Sequence, residues 1–222
     1  MNGIVFDLDG TLIESAPAIC DIANGLMAEL DLPALDVAET RRYIGNGASR
    51  FLEQALQARR AHSPDAFDTQ FTRFMTLYDA APPEANQPMP GSGEAIHELA
   101  AAGYSLAICT NKPMQPTRTL LKSFGWDRLF AAVVAGDTLP ERKPHPEPLL
   151  KATAELGAAV TFYVGDSEVD AATAEAAGLP FLLFAEGYRK SPLNEIPHAA
   201  SFSTFAELKG LIESFPVQPA TT

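Results

Sequence analysis

The sequence predicts an α/β protein: a doubly wound, mostly parallel sheet interrupted once by an all-helical insertion. Three observations predict it. Short runs of nearly unbroken apolar residues alternate with helical segments along most of the chain, as parallel strands covered on both faces require. Four of those helical segments run into a glycine suited to end a helix. One stretch, residues 14–86, has helical spacing and no strand-like run.

The elements follow in order. "IVFDLDGTL" (4–12) is a buried strand that runs into two carboxylates and a Gly-Thr turn. In residues 14–86, "APAICDIANGLMAELDL", "VAETRRYIGNGASRFLEQALQARR" and "PDAFDTQFTRFMTLYDAA" each carry apolar residues at helical spacing. The polar, Pro-rich "APPEANQPMPG" (81–91) then returns the chain to the sheet and supplies a hinge. Further strands are "YSLAICT" (104–110), "AAVVAGD" (131–137), "VTFYVGD" (160–166) and "LPFLLFA" (179–185). The helices among them, 92–103, 116–125, 145–157 and 168–178, end at Gly103, Gly125, Gly157 and Gly178. This alternation gives a Rossmann-like sheet built from residues 1–13 and 87–222, with 14–86 as the inserted helical domain. The closing "PVQPATT" reads as frayed.

The bulk numbers exclude several classes. With 222 residues, 46% hydrophobic and 20% charged, the chain has the composition of an ordinary globular protein. A net charge of −12 repels nucleic acid and anionic membranes. The two cysteines, Cys20 and Cys109, do not suggest a disulfide framework. No basic leader and no apolar stretch approaching about 18 residues is present, so the expected location is cytoplasmic.

Ligands of open α/β sheets bind beyond the carboxyl ends of the strands. There the chain places Asp7 and Asp9, then Thr110-Asn111, Lys143-Pro144, and Asp166-Ser167 with Asp170 four residues on. Residues i and i+2 share a face, so Asp7 and Asp9 share one pocket, and Gly10 permits a sharp exit. So many carboxylates do not all stay ionised unaided. A hard divalent cation relieves the repulsion, and Mg²⁺ suits a site with few protein oxygens and a substrate phosphate. Thr110 offers a hydroxyl and Lys143 a positive charge to a phosphoryl group. In such a site one aspartate attacks phosphorus and its neighbour handles the proton of the leaving oxygen.

"DLDGT" (7–11), "TN" (110–111), "KP" (143–144) and "GDSEVD" (165–170) match, in order, the four motifs of the haloacid dehalogenase-like phosphohydrolases. The chain resembles that family over essentially its whole length, with residues 14–86 in the place of the family's helical cap. "YIGNGASRFLEQAL" (43–56), "CTNKP", "KPHPEPL" and "EGYR" (186–189) look most like phosphoglycolate phosphatases. The resemblance implies Asp7 as nucleophile, through an aspartyl-phosphate, and Asp9 as the general acid and base. It implies Mg²⁺ on the side chains of Asp7 and Asp166 and the backbone carbonyl of Asp9. Thr110, Asn111 and Lys143 would bind phosphate, and Asp170 would orient the others. Gly45, Asn46, Gly47 and Arg50 are candidates for substrate contact from the cap.

Each residue also has a plainer reading. Asp-Gly is common turn chemistry, and Asp170 suits a first helical turn. Lys112 either reaches substrate or is solvated. The glycines of "RRYIGNGASR" either close over the pocket or merely separate two helices. His62 and His145 read as surface or capping residues, and Trp126 as core.

The expected activity is hydrolysis of a small phosphate ester, 2-phosphoglycolate foremost, with no nucleic acid or membrane partner, by a monomer or homodimer. A sugar-phosphate mutase would keep the same four motifs. Dehalogenation is disfavoured by Asp9, which such members lack. Phosphonate cleavage is disfavoured because residues 14–90 contain no lysine for a Schiff base. An aspartate-phosphorylated signalling domain would carry its acceptor on an internal strand and have no helical insertion.

Overall fold

The structure, a computed structural model, describes residues 2–158 and 160–215, so the fraying expected of 216–222 lies outside the described residues. The elements in chain order are β1 (Asn2–Phe6), β2 (Ile13–Glu14), α1 (Ala16–Glu29), α2 (Val37–Tyr43), α3 (Ala48–Ala58), α4 (Pro64–Ala80) and β3 (Gln87–Pro88). Then come α5 (Ser92–Ala101), β4 (Ser105–Cys109), α6 (Met114–Ser123), β5 (Phe130–Val134), α7 (Glu147–Leu156), β6 (Val160–Gly165), α8 (Glu168–Ala177), β7 (Phe181–Phe184), β8 (Ala200–Phe202) and α9 (Leu208–Ser214).

Six strands form one parallel sheet in the order β5-β4-β1-β6-β7-β8. Counted along the chain within that sheet the order is 3-2-1-4-5-6, the doubly wound arrangement in which strand order reverses beside the first strand. Period-2 alternation divides the core accordingly. Ile4, Phe6, Leu106 and Ile108 pack with Ile96 and Leu99 of α5, Leu120 and Leu121 of α6, and Leu208 and Ile212 of α9. Val5, Ala107 and Cys109 face the other way, against Leu149 and Ala152 of α7 and Ala171 and Ala174 of α8. Both faces of the sheet are therefore covered, which is why its strands read as continuous apolar runs.

Four helices, α1 to α4, occupy the segment read as helical, and their inward residues, among them Leu26, Leu52, Leu56 and Phe74, join the first of those two clusters. The structure departs from the sequence reading at the ends of this segment. Ile13 and Glu14 form β2, which pairs antiparallel with β3, Ile13 opposite Pro88 and Glu14 opposite Gln87. Met89 N–H donates to the Leu12 carbonyl at 2.9 Å, and Ser92 Oγ donates to the same oxygen. Two-residue strands carry no periodicity, so no pattern announces them. The short edge strand β8 escapes notice for the same reason. Among the described residues no helix is long and apolar enough to cross a membrane.

Candidate active site

The end of β1 is shaped by its backbone. Asp7 N–H continues the ladder to Val164 O at 2.8 Å, after which the Leu8 carbonyl accepts from the N–H groups of Thr11, Leu12 and Ile13. That tight loop needs Gly10, whose φ is +88° and where a Cβ would lie 2.6 Å from an Asp166 oxygen. The loop thus brings the Asp7 side of the chain against the end of β6.

Asp7, Asp166 and Asp170 are all buried, with one carboxylate oxygen of each within 4.8 Å of the others. Lys143 Nζ sits among them and donates to Asp7 Oδ1 at 2.8 Å, Asp170 Oδ1 at 2.7 Å and Tyr163 Oη at 2.8 Å. All three ammonium donors are engaged, so Lys143 is found as the counter-ion of two aspartates. Asp170 also accepts from Ser167 Oγ at 2.6 Å and from Ser167 N–H, while its own N–H returns to Ser167 Oγ. This is a capping box at the start of α8. The two oxygens of Asp170 are divided: Oδ1 meets Lys143 and Tyr163, and Oδ2 caps the helix. Asp166 accepts from Thr11 Oγ1 at 2.7 Å and from Tyr188 N–H.

The electrostatics follow from burial. Desolvation lifts the Asp7 carboxyl to about 7, with Lys143 opposing and Asp170 adding to the rise. Desolvation and the charges of Asp170 and Asp7 push Asp166 well above its usual range. Burial also works against the Asp170 carboxylate, but the charge and hydrogen bond of Lys143, with those from Ser167 and Tyr163, outweigh it and hold the group low. Three carboxylates share one ammonium, so the pocket lacks positive charge. Oxygen donors this close together fit a small hard cation such as Mg²⁺.

Asp9 lies apart from this cluster. Its Oδ1 accepts from Lys112 Nζ at 2.9 Å, and Lys112 in turn donates to Tyr78 Oη of α4 at 2.7 Å. The Lys112 side chain is only 2% exposed, so the solvated reading is excluded. Burial disfavours its charge, but Asp9 and Tyr78 more than compensate and keep the ammonium strongly protonated. Thr110 Oγ1 accepts from Lys112 N–H at 3.2 Å, which leaves its hydroxyl hydrogen free to donate.

Asn111 is turned differently from the expectation that its side chain holds phosphate. Its amide donates to the carbonyls of Gly45 and Lys143, both at 2.9 Å, and accepts from Lys143 N–H. It ties three loops together. Gly45 and Gly47 line a cavity of about 40 Å³ beside Asp7, Asp9, Thr110 and Lys112, whose other wall is Ile19, Ile44, Phe51, Phe74 and Tyr78. The two glycines both separate α2 from α3 and face the pocket. Asn46 does not line it. Nor does Arg50, which is exposed and paired with Glu53 one turn along α3; the adjacent Phe51 faces inward, which turns position 50 to the other side of the helix. Arg41 is paired with Glu14. His145 Nδ1 accepts from Glu147 N–H at the start of α7, and Trp126 is buried, as expected.

Sequence reasoning missed three supporting residues. Tyr163, on β6, donates to Asp170 Oδ1 at 2.6 Å while accepting from Lys143. Its place in an apolar run made it look like simple core. Thr11 stands inside "DLDGT", where its hydroxyl reads as turn chemistry, and it holds Asp166. Tyr188 Oη accepts from the N–H groups of Ser15 and Ala16 and donates to Glu14. The conspicuous "EGYR" was the only signal for it.

A family model described as haloacid dehalogenase-like hydrolase matches residues 4–184. The chain belongs to the haloacid dehalogenase-like hydrolases and is itself a hydrolase. Within that family it is similar to the phosphoglycolate phosphatase of Cereibacter sphaeroides, at 47% identity over 214 residues that cover 96% of this chain and 98% of that one. The phosphoglycolate phosphatase of Rhodospirillum rubrum is 40% identical over 93% of this chain and 89% of its own. Among solved structures, a predicted phosphoglycolate phosphatase from Haemophilus somnus 129PT superposes with a TM-score of 0.85 at 30% identity, covering 95% of this chain and 97% of that one.

Proposed function

We propose that the protein is a Mg²⁺-dependent phosphomonoesterase that works through an aspartyl-phosphate on Asp7, with 2-phosphoglycolate as substrate. The observation that carries the reading is the buried group of Asp7, Asp166 and Asp170 with Lys143, beside which Asp7 and Asp9 line the cavities under residues 44–51. The names of the curated relatives support the substrate. Residues 14–86 act as a cap whose apolar side chains exclude water from the reaction.

Mg²⁺ held by the side chains of Asp7 and Asp166 and the backbone carbonyl of Asp9 would neutralise charge on the phosphoryl oxygens. The Asp7 carboxylate attacks phosphorus, and the bond to the leaving alkoxide breaks as Asp9 gives that oxygen its proton. Asp9 then takes a proton from water. That water attacks the phosphorus, freeing phosphate and restoring the Asp7 carboxylate. Lys143 and the Thr110 hydroxyl counter the negative charge that spreads over the equatorial oxygens, and Asp170 and Tyr163 hold Lys143 in place.

The test is hydrolysis of an aryl phosphate with Mg²⁺ and with chelator, for the wild type and Asp7→Asn. Asn is nearly isosteric but cannot act as the nucleophile, so kcat should collapse while the fold persists. Undiminished turnover by Asp7→Asn, or equal rates with chelator, would sink the mechanism. A panel of phosphorylated metabolites ranked by kcat/KM tests the substrate.

A further inference from the structure

Lys112 is a buried, charged lysine that the mechanism above does not use. Among the described residues it is the only cation lining the cavity that Asp7 and Asp9 share with Thr110 and Phe51, where the cap contributes glycine backbone and the apolar faces of Ile44, Phe51 and Phe74; the cavity on the other side of the two aspartates, toward Asp166 and Glu168, has Lys143 and Lys190 in its wall, and Lys143 is already held by Asp7, Asp170 and Tyr163. Two arginines of the cap are engaged elsewhere, Arg41 with Glu14 and Arg50 with Glu53. Two of the three ammonium donors of Lys112 are taken, by Asp9 at 2.9 Å and Tyr78 at 2.7 Å, and the Tyr78 ring centroid lies 5.1 Å from Nζ.

We propose that Lys112 is the specificity residue for a carboxylate borne on the same carbon as the phosphate ester, and that Tyr78 positions it from α4. The proposal rests on the phosphatase reading and adds to it the class of acid accepted.

The argument is one of spacing. Asp9 must lie within hydrogen-bond reach of the leaving oxygen to protonate it. In a substrate with the sequence oxygen, carbon, carboxylate, the carboxylate oxygens stand only two carbon atoms from that leaving oxygen. A cation already in hydrogen-bond contact with Asp9 meets them there with its remaining N–H. An acid one carbon longer, such as 3-phosphoglycerate, carries its carboxylate past Lys112 toward the aromatic wall, where a charge finds no partner. A neutral group in place of the carboxylate forfeits the charge-assisted bond. Tyr78 matters because a lysine stem is flexible, and a hydroxyl from the cap fixes Nζ at the cavity edge.

The experiment compares kcat/KM for 2-phosphoglycolate, 3-phosphoglycerate and 2-hydroxyethyl phosphate, which keeps the two-carbon skeleton but is neutral at its far end. In the wild type, 2-phosphoglycolate should lead both. In Lys112→Met its advantage over 2-hydroxyethyl phosphate should fall roughly 10- to 100-fold, the worth of one hydrogen bond to a charged group, mainly through KM. Lys112→Arg should recover part of that advantage. Tyr78→Phe should erode it by a smaller factor. A Lys112→Met enzyme slowed equally on both two-carbon substrates overturns the proposal, because Lys112 would then act only through Asp9. Should Lys112→Met not fold, an unmoved ratio in both Lys112→Arg and Tyr78→Phe overturns it as well. A wild type without preference for 2-phosphoglycolate overturns the substrate reading together with this one; a wild-type preference that survives in the variants overturns this one alone.

Discussion

Adding one methyl group at Gly136 should slow the enzyme although the residue touches no substrate. Gly136 follows β5 in a buried loop, and its N–H donates to the Lys112 carbonyl at 2.8 Å. A Cβ there would stand 2.7 Å from the carbonyl carbon and 3.2 Å from the Cα of Asn111, with the Asn111 oxygen closer still. Ordinary contact begins at 3.4 Å, and the Asn111 oxygen is the nearest atom, so the backbone carrying Thr110, Asn111 and Lys112 must retreat by about 1 Å. Misplacement of about 1 Å in a catalytic constellation costs up to about 10²-fold, so kcat/KM of Gly136→Ala should drop roughly 10- to 100-fold. Overpacking costs about 1–3 kcal/mol, and at about 2–4 °C per kcal/mol for a chain of this size Tm should fall by about 2–12 °C. Steady-state kinetics on an aryl phosphate and calorimetric melting read the two effects. Gly210→Ala is the control: it lies in α9, nothing stands within 4 Å of its Cβ position, and alanine favours the helix. If Gly136→Ala matches the wild type in both rate and Tm, the close approach of the two loops does not set the site's geometry.

Two further outcomes test the pair of aspartates and the metal. Asp9→Asn should cost about 10²–10⁴-fold more on alkyl than on aryl phosphates, since only the former need a proton on the leaving oxygen; equal losses remove Asp9 from that role. Burial lifts Asp7 from 3.8 to about 7 in the metal-free protein and raises Asp166 too. A carboxyl raised on folding favours the fold below its unfolded pKa and loses that contribution as pH climbs through the folded one, so for Asp7 the loss falls between about pH 4 and pH 7. Because a cation relieves the same repulsion and protons compete for the same oxygens, the Tm gain from Mg²⁺ over chelator should grow from about pH 5 to about pH 7.5. A gain that is equal at the two ends contradicts this.

The sheet was legible because each parallel strand is covered on both faces and so appears as an apolar run, and the site was legible because its acids fall directly after those runs. What the sequence withheld are contacts between distant positions. A lysine after Thr110-Asn111 reads the same whether it meets solvent or, as here, Asp9 from 103 residues earlier in the chain. Tyr163 alternates correctly for a core aromatic, and nothing local reports that its hydroxyl meets Lys143 and Asp170. Arg50 could have been set aside from the sequence, since Phe51, Leu52, Ala55 and Leu56 define the buried face of α3 and leave position 50 outside it. Asn111 could not, because an amide beside a phosphate site is equally suited to phosphate or to backbone carbonyls.

The pairing of β2 with β3 has a topological consequence. With Ile13 opposite Pro88 and Glu14 opposite Gln87, residues 15–86 stand where a hairpin would have its loop. A hairpin of that kind closes with two residues, and Asn-Gly in a type I′ turn matches the twist of the strands. The molecule is therefore a complete sheet-and-helix body with one loop grown into four helices. Whatever is mounted at the tip of that ribbon can be lengthened, shortened or exchanged without altering the order or register of the six parallel strands, so the helices above Asp7 and Asp9 are free to diverge while the carboxylates at the strand ends stay where they are.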